Sequence, residues 1–105
     1  MRHEIILAPE AEEDFNALEA YDRAAVRDAM EKHLRYEPTK TSRSRIKRLR
    51  GMRRPQYRLL VAEHRVFYDV TAEAVEVLAI VSKSEAAEWL ERYGEPTVDS
   101  EESDP

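Results

Sequence analysis

Residues 56–82 read QYRLLVAEHRVFYDVTAEAVEVLAIVS, and the hydrophobic pattern of this stretch decides the fold. Tyr57, Leu59 and Val61 alternate with Arg58 and Leu60, and Val66, Tyr68 and Val70 alternate with Arg65, Phe67 and Asp69. A period of two places successive side chains on opposite faces of a strand. Strands are therefore expected over 56–62 and 64–70, joined at Ala62 and Glu63. Residues 74–81 are nearly all apolar, as in a strand buried on both faces. Short turns make these three an antiparallel meander.

The residues before the meander carry its chemistry. Residues 40–58, KTSRSRIKRLRGMRRPQYR, hold nine bases, and no acid occurs between Glu37 and Glu63. The chain has 17 Lys+Arg against 22 Asp+Glu and a net charge of −5, so the remaining residues stand at −14. Charge segregated in this way favours a polyanionic partner. An Arg-rich run is more often a solvated loop, but this one leads straight into a strand. Within it, Arg45, Lys47, Arg48, Arg50, Arg53 and Arg54 are the candidate side chains for binding such a polyanion. Residues 45–49 fit a charged edge strand, and 51–55 read as a turn.

Further upstream, residues 2–7 alternate, with His3, Ile5 and Leu7 on one face, and predict a first strand. Pro9 suits the first helical position, and Glu10, Glu12, Glu13 and Asp14 suit the positive end of the helix dipole. Ala11, Phe15 and Leu18 make the apolar stripe of a helix over 9–20. Asp22 is the expected N-cap of a second helix, whose face is Val26, Ala29, Met30, His33 and Leu34 and which Pro38 ends. The short link predicts an antiparallel helix hairpin. Downstream, Ser82 and Glu85 stand in capping-box spacing before a third helix with Ala86, Trp89, Leu90 and Tyr93 inward and Gly94 as its stop. Residues 95–105 hold five acids and no base, the composition of a disordered tail.

A length of 105 residues indicates one domain, 1–93, with an acidic tail from 94 to 105. No apolar run approaches 18 residues, and the apolar start is too short for a signal peptide. With no Cys and three scattered His, no metal-ligand spacing is present. A cytoplasmic, cofactor-free protein is the expectation. Arg58 and Arg65 fall on the sheet face opposite the Val/Leu rows, predicting an open surface that carries both. His64 falls on the other face and reads as structural. Trp89 reads as packed on the sheet, and Tyr57 and Tyr68 as core residues with solvated hydroxyls.

The ordered set Arg48-Leu49-Arg50-Gly51, Tyr57-Arg58-Leu59, Arg65-Val66-Phe67-Tyr68 and residues 77–83 resembles the RelE/ParE superfamily of bacterial toxins, over roughly residues 2–93. The resemblance implies an α+β RelE-like fold: an N-terminal strand, the helix hairpin on a mainly antiparallel sheet of four or more strands, and a C-terminal helix. It implies the toxin of a type II toxin–antitoxin system. RelE-like members are ribosome-dependent mRNA endoribonucleases in which the ribose 2′-OH attacks the adjacent phosphate without a metal. ParE-like members instead poison DNA gyrase by protein contact. The implied partners are a cognate antitoxin, with oligomeric assembly allowed, and the ribosome and mRNA. Carried over by motif, the catalytic residues are Arg65 at the scissile phosphate, Arg58, and Lys83 after the last strand. Leu60, Ser84 and Leu90 depart from the RelE pattern, which has a basic residue, an arginine and a tyrosine there. Three readings stay open: nuclease, protein-binding toxin, and RNA- or DNA-binding module without catalysis.

Overall fold

The structure, a computed structural model, describes residues 2–97. In chain order these form β1 (Glu4–Leu7), α1 (Pro9–Ala17), α2 (Ala20–Leu34), β2 (Ile46–Arg48), β3 (Met52–Arg54) and β4 (Tyr57–Val61). There follow β5 (His64–Val70), β6 (Ala74–Ser82), a 3-10 turn (Lys83–Glu85), α3 (Ala86–Tyr93) and β7 (Glu95–Pro96). Five strands make one sheet in the order β1-β6-β5-β4-β2. Strand β1 runs parallel to β6, and every other neighbouring pair in that sheet is antiparallel. The α+β class, the meander and the mainly antiparallel sheet are those expected from the sequence.

Alternation explains the two faces. Leu59, Val61, Val66, Tyr68, Val75, Val77 and Ile80 pack against Ala11, Val26, Met30 and Leu34 of the helix pair, with Phe15 and Leu18 partly buried at the margin. Each fully buried Val or Leu here contributes roughly 1.5–3 kcal/mol relative to exposure. The opposite face is covered by α3. Phe67 is fully buried there, and Trp89 stacks on it with ring centroids 5.1 Å apart. A bulge in β6 serves both faces. Phe67 pairs with Ala79 and Tyr68 with Val77, so Leu78 is the extra residue. Val77 and Ile80 can then both join the hairpin core.

Several boundaries differ from expectation. Helix α1 stops at Ala17 because Leu18 turns extended (φ −70°, ψ 149°), and α2 starts at Ala20 with Glu19 at its cap. Asp22 therefore lies inside the first turn, where its carboxylate is 3.6 Å from His64 Nε2. Arg23 donates to the carbonyl of Leu18, the residue that ends α1, at 2.5 Å and so ties the two helices at their junction. The Ser82–Glu85 capping box does not form, since Ser82 makes no cap bond and a 3-10 turn precedes α3. The Tyr68 hydroxyl is not solvated: it is buried, donates to the Pro38 carbonyl at 2.7 Å, and burial pushes its pKa strongly upward.

Residues 51–55 are more than a turn, because β3 forms there and pairs with β7. The acidic segment begins with this strand rather than with disorder at 94: Glu95 pairs with Arg53, and the Thr97 N–H donates to the Gly51 carbonyl at 2.9 Å. The rest of that expected tail, residues 98–105, lies outside the described residues. Gly94 does end α3, its N–H donating to the Leu90 carbonyl at 2.8 Å. The reason is close approach rather than a left-handed turn: a Cβ there would fall onto the Met52 methyl and the Leu90 carbonyl oxygen.

Candidate nucleic-acid interface

Strand β2 lies at the sheet edge, and its register sorts its side chains. Ile46 pairs with Leu59 and is buried on the hairpin side. Arg48 pairs with Tyr57 and lies over that ring, 5.2 Å from its centroid. Lys47 pairs with Arg58 on the other face. Like charges set directly opposite each other on a sheet are destabilising. The Arg58 Nε is also buried with no hydrogen-bond partner. Two adjacent cations form a site whose mutual repulsion an anion would relieve.

The remaining bases divide into tied and free. Arg48 donates to the carbonyls of Gln56 (2.6 Å) and Leu49 (3.2 Å). Arg53 is paired with Glu95. Arg54 reaches Asp69 at 3.1 Å and Glu76 at 3.6 Å. Asp69 also accepts from the Gln56 N–H at 2.8 Å, while Gln56 Oε1 accepts from Val70 N–H at 2.9 Å. Arg54 is therefore part of the cross-link holding the start of β4 to the end of β5, and burial raises the Asp69 pKa despite these partners. Among the described residues, Arg43, Arg45, Lys47 and Arg50 make no ion pair and are exposed.

Arg65 is not on an open surface. It shares the face of Arg58 by alternation, yet it is only 9% exposed. Its Nη1 donates to the carbonyls of Ala62 and His64, both at 3.1 Å. The reason is the tight β4–β5 turn, where Ala62 takes the left-handed φ of 53° and turns its carbonyl towards the guanidinium. No acid pairs with Arg65 or Arg58 among the described residues; Asp69 and Glu76, which alternation makes available to them, are taken by Arg54. Lys83 follows β6, exposed, and its backbone N–H donates to the Glu63 carbonyl at 2.6 Å, placing it beside the same turn. Leu60 pairs with Arg65 and lies between it and Arg58 along the face.

This arrangement can bind and stabilise anionic charge through Lys47 and Arg58, whereas Lys83 lies at the β4–β5 turn, four residues beyond the Ala79 that aligns with Arg58 through Phe67, and is not brought to that pair. Proton transfer is less well provided. His64 lies on the hairpin face beside Asp22, and Tyr68 is locked in the core. Among the described residues, no three His, Asp or Glu side chains converge on a possible cation site. Lys47 paired against Arg58 and the Gln56–Asp69–Arg54 cross-link were not legible from the sequence, because each depends on register and not on local pattern.

A family model described as the ParE toxin of a type II toxin–antitoxin system, parDE, matches residues 5–87. No curated protein sequence matches the chain. Solved structures do. A chain of the RelB–RelE antitoxin–toxin complex of Methanococcus jannaschii superposes with a TM-score of 0.62 at 13% identity, covering 80% of this chain and 96% of that one. For the toxin–antitoxin complex RelBE2 of Mycobacterium tuberculosis the values are 0.60, 20%, 78% and 99%. For the DinJ–YafQ toxin–antitoxin complex of E. coli they are 0.58, 13%, 83% and 97%. At these identities the likeness is one of fold.

Proposed function

Since the chain belongs to the ParE toxin family of type II toxin–antitoxin systems, we propose that it is the toxin of such a pair and that mRNA on the ribosome is its target. The observation that supports RNA is the like-charged Lys47–Arg58 pair with its unpartnered Arg58 Nε, flanked by free Arg45 and Arg50. A phosphate held by the guanidinium of Arg58 and the ammonium of Lys47 would offset the repulsion between them. In this reading the ribose 2′-OH attacks the neighbouring phosphate, the P–O bond to the 5′ carbon of the next nucleotide breaks, and a 2′,3′-cyclic phosphate remains. Arg58 and Lys47 stabilise the phosphorane, the 2′-OH proton passes to solvent water, and the departing 5′ oxygen takes a proton from water. Arg65 acts by fixing the β4–β5 turn. A cognate antitoxin would cover the same surface with an acidic segment.

The test is primer extension on ribosome-bound mRNA with purified chain. Discrete cleavage that is lost in Arg58→Ala is expected. A second reading is favoured because, among the described residues, no proton-carrying side chain is placed beside the Lys47–Arg58 pair, and because Arg65 is consumed in its turn: a toxin that works by protein contact, as the gyrase-directed members do. Uncut mRNA together with inhibited gyrase supercoiling would establish that reading instead.

A further inference from the structure

On the hairpin side of the β2 edge, the last turn of α2 and the segment leading to β2 enclose a groove of about 380 Å³. Lys32 and His33 line it from the helix, and Lys40, Ser42 and Arg45 from the segment. One acid, Glu37, is present, 3.7 Å from Lys40. Lys32 and Arg45 make no ion pair among the described residues. Ser42 Oγ accepts the Arg45 N–H at 3.1 Å, which shapes the loop around the groove. His33 is held below its ordinary pKa by burial, then by Arg45, then by Lys32. Its ring therefore sits in a positive field, with the Ser42 and Ser44 side chains lining the same groove.

We propose that this groove is a second phosphodiester-binding site, which carries RNA backbone from the Lys47–Arg58 face around the β2 edge onto the hairpin side. The chemistry is that of a phosphate cradle: ammonium and guanidinium donors, hydroxyls and an imidazole. The track is continuous, because Arg45 immediately precedes β2 and Lys47 lies two residues on, about 7 Å along a strand. An amphipathic peptide fits less well. The apolar residue at the floor, Ile46, is 2% exposed and offers no anchor, and rim charges alone contribute little to a peptide.

The proposal rests on the RNA reading but can be tested apart from cleavage. The probes are inorganic phosphate and a short oligouridylate, followed by NMR of the His33 ring and by binding titrations against salt. Phosphate should shift the His33 resonances and raise its titration midpoint, and Lys32→Gln/Arg45→Gln should abolish that response. The same double variant should weaken oligouridylate binding several-fold and lower the log–log salt slope by about 1.4, or about 0.7 for each lost contact. Both side chains are exposed, so its thermal melt should match the parent. A His33 that ignores phosphate overturns the groove whatever the chain's activity. A double variant that binds oligouridylate normally but no longer binds hexaglutamate makes it a peptide site and also overturns the proposal. A responsive groove in a protein that leaves ribosome-bound mRNA uncut upholds the site and sinks only the nuclease reading.

Discussion

The carboxylate of Asp14 on α1 accepts a hydrogen bond at 3.0 Å from the backbone N–H of Ile80, across 66 residues of sequence. It meets β6 beside the bulge at Leu78 and ties helix to sheet where regular pairing is disturbed. Asp14 thus does more than complement the helix dipole. Removing the acceptor with Asp14→Leu leaves a partly buried N–H unpaired and should cost about 1–3 kcal/mol, read from chemical denaturation.

The same residue makes a pH prediction. Burial, the largest cause, raises the Asp14 pKa above 3.8 in spite of the Ile80 bond. The folded state then holds the proton more tightly than the unfolded one, and the ionised form is penalised at neutral pH. Relative to Asp14→Asn, the parent should gain stability as pH falls through the raised folded pKa towards 3.8. Parallel stability curves for the two proteins from pH 7 to 4 would contradict this.

Lys47→Gln should separate stability from binding. It removes one of two like charges facing across β2 and β4, so the free protein should become more stable by roughly 0.2–1 kcal/mol. RNA affinity should fall. A variant that loses both, or gains both, is incompatible with an anion site between Lys47 and Arg58.

Arg65→Ala should behave as a turn mutation. Two hydrogen bonds from a buried guanidinium to the Ala62 and His64 carbonyls are lost, at a cost of about 1–3 kcal/mol. Toxicity, assayed by growth after induction, should fall in step with soluble protein. A folded, undiminished melt with toxicity abolished would return Arg65 to the reacting phosphate.

Among the bases, Arg50→Gln should flatten the salt dependence of RNA binding by about 0.7 in log–log slope. Arg54→Gln should affect the slope less and the melting temperature more, since Arg54 holds Asp69 and Glu76. Equal slope changes for the two would show that Arg54 can leave its carboxylates for phosphate.

The sequence alone determined the strand meander, the helix pair, the inward rows of Leu59, Val66 and Val77, and the family motifs, because period and punctuation are local and short-range sterics enforce them. It also placed Arg58 and Arg65 on one face correctly. Tertiary structure decided what those arginines have around them. A strand pattern says which face a side chain takes, not what covers that face. Whether the guanidinium of Arg65 meets solvent or its own turn depended on the left-handed Ala62. Which bases stay free depended on register across strands: Lys47 meets Arg58, while Arg54 meets Asp69. The packing of Trp89 on the sheet was legible from its helical spacing, but its partner Phe67 and the docking of Glu95 beside Arg53 rest on contacts between distant segments, which composition reads only as an apolar helix face and an acidic run.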